Sequence, residues 1–125
     1  MLKIKFLYYD KTVCRRCIST DKSVKLTLKE LKKAMKKSKL KIDFKERRLP
    51  KSKTRLSPSI LINGKDIEKI VNKKSKLKSN VCSDCCEMIG HPVNCRTFKY
   101  KGKTYNYIPR KMISEAIEIA LRHSN

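Results

Sequence analysis

An α/β fold, in which a mixed β-sheet is flanked by helices, is predicted by three patterns along the chain. Apolar and polar residues alternate over residues 2–9 and over residues 40–44, as they do in β-strands with one buried face. Between these strands, residues 20–37 place apolar residues at spacings of four, three and four, which marks one face of a helix. Such a strand–helix–strand unit predicts a parallel strand pair. A strongly amphipathic helix over residues 110–122 is expected to cover one face of the sheet.

The middle of the chain predicts antiparallel strands. Residues 60–62 form a short apolar strand, and Asn63-Gly64 is a strong signal for a tight hairpin turn. Residues 67–71 are then expected to return as the partner strand. Residues 72–80 show no periodicity, so we expect a linker there, and a second hairpin is expected over residues 98–107.

Length and composition limit the classes of protein to consider. The 125 residues predict a single domain, assigned to residues 1–125, with a Cys-rich insert at residues 72–97 before the C-terminal helix. The longest apolar run, residues 6–9, is too short to cross a bilayer, and lysines interrupt the apolar residues at the N-terminus. We therefore expect a monomeric cytoplasmic protein without membrane contact. In a reducing compartment, six Cys indicate redox chemistry or metal binding before a framework of structural disulfides.

The charge of the chain is strongly basic and unevenly distributed. Lys and Arg total 33 against 11 Asp and Glu, which gives a net charge of +22. Residues 22–55 are the densest part. The favoured interpretation is a solvated Lys-rich surface, and the alternative is a face for anionic partners such as nucleic acid. The low aromatic content of 6% disfavours the alternative, because single-stranded nucleic acids are usually held by stacking as well as by charge.

A first pair of cysteines, Cys14-Arg15-Arg16-Cys17, lies between the first predicted strand and the helix. Two intervening residues keep the sulfurs close enough to form and break a disulfide, and the two arginines favour the reactive thiolate. Redox exchange is the favoured interpretation, with half of a metal site and an inert pair as alternatives. If exchange occurs, Cys14 is the expected nucleophile and Cys17 the thiol that resolves the mixed disulfide.

The order of strand, Cys pair, helix and strand, followed by Ser57-Pro58 before a hairpin strand, resembles the thioredoxin-like superfamily. The resemblance implies a cis-proline, here Pro58, that faces Cys14 and Cys17 and helps to dock a thiol substrate. The closer resemblance is to a thioredoxin-like family of archaea and bacteria that is labelled as a domain of unknown function. The matching pieces are Cys14-x-x-Cys17, Ser57 through Gly64 with Ile67-Glu68, the later Cys cluster, Cys95-Arg96, and Tyr105 through Pro109 before a final helix.

The second group of cysteines comprises Cys82, Cys85, Cys86 and Cys95. Four soft ligands this close in sequence can close a tetrahedral site for zinc, or hold an Fe–S cluster. One or two disulfides that exchange with the first pair, or free thiols, remain as alternatives. His91 lies between these cysteines and is interpreted as a loop residue rather than a ligand.

Three functional hypotheses follow from these motifs. The first is a thiol–disulfide exchange protein that uses Cys14, Cys17 and Pro58, requires no cofactor, and acts on a thiol or disulfide partner protein or a small thiol. The second is a carrier or sensor of a thiophilic metal, without turnover. The third is a basic nucleic-acid-binding module on residues 22–55. Carboxylate pairs, phosphate loops and nucleophile–His triads are not apparent, so hydrolase and kinase functions have no support.

Overall fold

A computed structural model describes residues 1–36, 38–74 and 76–123. The predicted end of the first helix at Lys37 and Ser75 of the predicted linker lie outside these residues. The elements in chain order are β1 (Leu2–Tyr8), α1 (Arg15–Ala34), β2 (Ile42–Arg48), a 3-10 segment (Lys51–Leu56), β3 (Ser59–Ile62), β4 (Lys65–Asp66), α2 (Ile67–Val71), β5 (Lys78–Val81), α3 (Ser83–Ile89), β6 (Asn94–Tyr100), β7 (Lys103–Tyr105) and α4 (Arg110–His123).

The main sheet has the order β2-β1-β3-β4 and is mixed, as the sequence predicts. Strand β1 pairs in parallel with β2 and antiparallel with β3, and β3 pairs antiparallel with β4. The alternation in β1 buries Leu2, Ile4 and Phe6, which pack with the apolar stripe of α1 and with α4. The architecture is consistent with a thioredoxin-like α/β fold, so the predicted fold class is confirmed.

Helix α1 begins at Arg15, several residues earlier than the apolar stripe indicates. The start of the helix has no aliphatic stripe, because Cys17 and Thr20 occupy its buried face. The Thr20 hydroxyl donates to the carbonyl of Arg16, which satisfies its polarity inside the helix. Cys14 therefore lies at the N-cap of a long helix, a position that the sequence places in a loop.

The first hairpin turns where predicted, but its partner strand is short. Asn63 and Gly64 both have positive φ, at 51° and 83°, as a tight hairpin turn between twisted strands requires. The prediction of a strand over residues 67–71 is wrong, because these residues form α2. The Asp66 side chain caps this helix by accepting a hydrogen bond from the main chain of Glu68 at 3.0 Å.

A second sheet has the order β5-β6-β7 and carries the Cys-rich segment. The prediction that residues 72–80 form only a linker is wrong at its end, where β5 pairs antiparallel with β6. Strand β5 is an exposed edge strand, so its side chains carry no apolar alternation for sequence analysis to detect. The second predicted hairpin corresponds to β6 and β7, which pair from Phe98 with Tyr105 to Tyr100 with Lys103.

Among the described helices, none combines the length and apolar character needed to cross a membrane. The extent of the single domain over residues 1–125, and of the insert over residues 72–97, stays a prediction.

Candidate metal centre

The loop between β1 and α1 is organised by Asp10. Its carboxylate accepts hydrogen bonds from the main-chain N–H groups of Thr12, Val13 and Cys14, at 3.1, 2.6 and 3.0 Å. Although burial raises its pKa, the hydrogen bonds from Val13, Cys14 and Thr12 outweigh burial and lower the pKa of Asp10 below its ordinary value. The loop is thus fixed at the residue that carries the first thiol.

Cys17 packs against the segment that leads into β3. Its Sγ lies 3.1 Å from the Ser57 Oγ, and that oxygen also accepts a hydrogen bond from the main chain of Tyr9 at 2.9 Å. The Ser57–Pro58 peptide bond is cis, as the resemblance to the thioredoxin-like superfamily implies. The substrate-docking role of Pro58 stays a prediction.

Five sulfurs from the two predicted sites converge in one buried cluster, together with the ring of Tyr9. Each of the five residues is no more than 2% exposed: Cys14, Cys17, Cys82, Cys85 and Cys95. The Sγ of Cys14 lies 4.0 Å from that of Cys82 and 3.9 Å from that of Cys85, and Cys85 and Cys95 are 3.3 Å apart. The cluster is called the sulfur cluster below.

Three of these sulfurs are close enough together that they could hold one metal ion. The Sγ atoms of Cys14, Cys82 and Cys85 all lie within 4.8 Å of one another. A tetrahedral ion with metal–sulfur bonds of about 2.3 Å places its ligand sulfurs about 3.8 Å apart, and the separations of 3.9 and 4.0 Å match this edge. A disulfide would require about 2.05 Å, and the six cysteines are free thiols. These three residues can therefore hold a metal ion, and Cys95 lies beside them at Cys85.

Cys86, predicted as a ligand, makes different contacts. Its Sγ lies 3.3 Å from the main-chain nitrogen of Val93 and donates to the carbonyl of the same residue at 3.7 Å. It is not among the buried residues of the sulfur cluster. His91 is exposed, as its interpretation as a loop residue predicts.

Helix α3 and the following loop place the later cysteines together. Cys82 is the N-cap of α3, and Cys85 lies in its first turn. The helix ends at Gly90, whose φ of 89° is the left-handed conformation that glycine adopts readily. The main-chain nitrogen of Cys82 donates to the carbonyl of Val93 at 3.1 Å, which closes the loop and brings β6 with Cys95 beside the helix.

Two arginines join α1 to the Cys-rich segment. Arg16 donates to the carbonyl of Cys95 at 3.2 Å and to that of Val81 at 3.0 Å. The main-chain nitrogen of Arg15 donates to the Asp84 carboxylate at 2.9 Å, and the two side chains form an ion pair at 3.4 Å. These contacts hold Cys14 against the later cysteines.

The hydrogen bonds among the thiols shift their pKa values in opposite directions. Bonds from Cys14, Cys85 and Cys95 hold the pKa of Cys82 well below its usual range. Cys17 and then Cys82 raise the pKa of Cys14. Of these two residues, Cys82 therefore favours the thiolate and Cys14 the protonated thiol.

The pKa of Cys17 is lowered to about 6. The largest cause is the hydrogen bond with Cys14; burial opposes it, and hydrogen bonds from Ser57 and from the main chain of Asp10 and Tyr9 lower the pKa further. The thiolate of this residue is thus surrounded by donors.

Arg96 joins the second sheet to the first. Its side chain, 2% exposed, forms two hydrogen bonds of 2.6 Å with the Asp66 carboxylate and one of 2.8 Å with the Ser59 hydroxyl. Its main-chain nitrogen donates to the carbonyl of Ser57 at 2.9 Å. The residue next to Cys95 is therefore anchored to the strand that follows the cis-proline. The sequence does not predict this role of Arg96, because an acidic partner 30 positions away leaves no local pattern.

The fold and the site together define an α/β protein, consistent with a thioredoxin-like fold, whose Cys-x-x-Cys pair joins further cysteines in a buried cluster. The chain belongs to the family described as "Domain of unknown function (DUF2703)", whose model matches residues 2–117. No curated protein and no solved structure matches the chain.

Proposed function

We propose that this protein binds one thiophilic metal ion through Cys14, Cys82, Cys85 and Cys95. The observation that carries the proposal is the spacing of the first three sulfurs, which matches the edge of a tetrahedron around one ion. In Fe–S clusters the thiolates are distributed over several irons, so the short separations favour a single ion over a cluster. Zinc fits four thiolates in a closed site, and such a site has no open position for substrate. Storage, transfer or sensing of the metal therefore fits better than metal catalysis.

The surroundings support a thiolate-rich site. Four thiolates around a divalent ion leave excess negative charge, which nearby cations and dipoles stabilise. Arg16 lies against the carbonyl of Cys95, and Cys14 caps the positive end of the 20-residue helix α1. The site also links α1, α3 and β6, so the bound ion would hold the two sheets together.

Location and partners belong to the same proposal. A reducing cytoplasm keeps thiols available for metal. We propose a small thiol or a thiol-bearing protein as the partner in metal exchange, and a monomeric state. The Lys-rich surface remains available for anionic partners.

Metal content tests the proposal directly. Protein purified with reductant and without chelator should carry one zinc ion, or another thiophilic divalent ion, per chain. Elemental analysis and native mass spectrometry measure this content. Reduced protein that takes up no zinc, even when the metal is supplied, would refute the proposal.

A second candidate function is thiol–disulfide exchange by Cys14 and Cys17. It is favoured by the position of Cys14 at the start of α1 and by the contact of Cys17 with Ser57, next to the cis-proline. Both thiols are fully buried, so an incoming disulfide reaches Cys14 only after the site opens. Burial therefore reverses the order of the sequence-based hypotheses, and metal binding comes first.

Oxidised glutathione is a suitable probe of this second function in metal-free protein. Cys14 would lose its proton to the departing glutathione thiolate as it attacks the disulfide; the Cys17 thiolate would then attack the mixed disulfide and release the second glutathione as a thiolate. The parent should lose two hydrogens in mass without gaining glutathione. Peptide mapping of the oxidised parent should find a disulfide between Cys14 and Cys17, and Cys86→Ser should behave as the parent. An unmodified parent after prolonged exposure would exclude the exchange.

A further inference from the structure

A cleft of about 390 Å³ opens beside the sulfur cluster. Its lining comes mainly from the first turn of α1, the start of α3 and the segment before α4, and it includes Arg15, Arg16, Cys82, Asp84, Asn106 and Tyr107. Cys82 is the one sulfur of the cluster in this described lining. The cleft is therefore a route from solvent to the sulfur cluster, which is otherwise buried.

Two arginines and one carboxylate line the cleft. Arg16 bonds only to main-chain carbonyls in its described contacts, so its charge is not neutralised by an acid. Arg15 is paired with Asp84, the single acidic residue of the described lining, but its side chain is 82% exposed and reaches the solvent. The positive end of α1 adds to these charges. The amide of Asn106 and the phenol of Tyr107 supply neutral donors in the same cleft.

We propose that the metal enters through this cleft as an anionic complex with small, carboxylate-bearing thiols, rather than as a free cation. This inference rests on the proposed metal function and names its substrate class. Two arginines disfavour the approach of a bare cation, whereas they attract an anionic complex. Cys82 is the first protein sulfur that such a complex meets.

The transfer is a ligand exchange without oxidation or reduction. A sulfur–metal bond to the carrier breaks as a bond to the Cys82 thiolate forms, and the carrier leaves as a thiolate. At each later step the proton displaced from the protein thiol passes to the departing carrier thiolate. Repetition at Cys85, Cys14 and Cys95 completes the site. Each step exchanges one metal–sulfur bond for another.

The rate of loading tests the route. Cadmium serves as the probe, because its bonds to thiolates absorb in the ultraviolet, and it is offered as its mercaptoacetate complex or as its 2-mercaptoethanol complex. Both carriers bind the metal through a thiol. Mercaptoacetate also has a carboxylate, where 2-mercaptoethanol has a hydroxyl. Arg15→Gln should slow loading from the mercaptoacetate complex at least about threefold relative to loading from the other complex. Asp84→Asn should accelerate it, because the cleft gains positive charge.

Arg122→Gln is the matched control, since Arg122 is also an exposed arginine paired with a carboxylate, Glu118, at 2.6 Å. It lies on α4, outside the lining of the cleft, and its loading rates should equal those of the parent. Rates that depend on neither Arg15 nor Asp84, or that change equally for both carriers, would overturn the route while leaving the metal site intact. Absence of bound cadmium at equilibrium would overturn the metal site and the route together.

Discussion

Replacement of Cys85 with serine should weaken zinc binding at least about a hundredfold, since loss of even an outer-shell partner typically costs ten- to a hundredfold. Cys85 is central to the sulfur cluster, because its Sγ lies 3.9 Å from that of Cys14 and 3.3 Å from that of Cys95. A serine hydroxyl is a poor ligand for a thiophilic ion, so one of the four bonds is lost. Competition with a chromophoric chelator at fixed pH measures the change.

Cys86→Ser provides a control one position away. Its thiol contacts the main chain of Val93 and not the sulfur cluster, so the zinc affinity should stay within about twofold of the parent, a change of about 0.4 kcal/mol in binding free energy. If Cys86→Ser loses zinc and Cys85→Ser retains it, the ligand set proposed from the geometry is wrong and Cys86 is a ligand.

Replacement of Asp66 with asparagine should lower the free energy of unfolding by about 3 kcal/mol, the cost typical of breaking a buried ion pair. Arg96 would keep its charge in the interior, with Glu68 at 3.6 Å as its remaining acidic neighbour. Asparagine still accepts the hydrogen bond that caps α2, so the change reports the ion pair rather than the cap. Urea unfolding of metal-free protein, under reducing conditions, measures the difference.

Glu118→Gln breaks an ion pair with Arg122 at the surface. The side chains of Glu118 and Arg122 are 64% and 68% exposed. Solvent screens this pair, so its loss should cost less than about 0.5 kcal/mol. Equal effects of the two substitutions would mean that Arg96 does not anchor the second sheet.

The sequence predicts well those elements whose apolar residues are spaced so that they all lie on one buried face. Strand β1 alternates because Leu2, Ile4 and Phe6 face the core, and α4 is amphipathic because one of its faces covers the sheet. The elements predicted poorly are held by polar contacts instead. Strand β5 is an exposed edge, and α2 begins at a capping carboxylate rather than at an apolar stripe.

The sequence by itself determined the α/β layout, the hairpin at Asn63-Gly64 and the presence of two groups of thiols. Only the tertiary structure decided that Cys14 joins Cys82 and Cys85 in one buried cluster, and that Cys86 turns to the main chain of Val93. The physical reason is distance along the chain: spacing rules describe ligands within one short segment, whereas this site forms where the N-terminal ends of α1 and α3 meet, with Cys14 and Cys82 separated by 68 residues. That packing depends on long-range contacts, which no local pattern encodes.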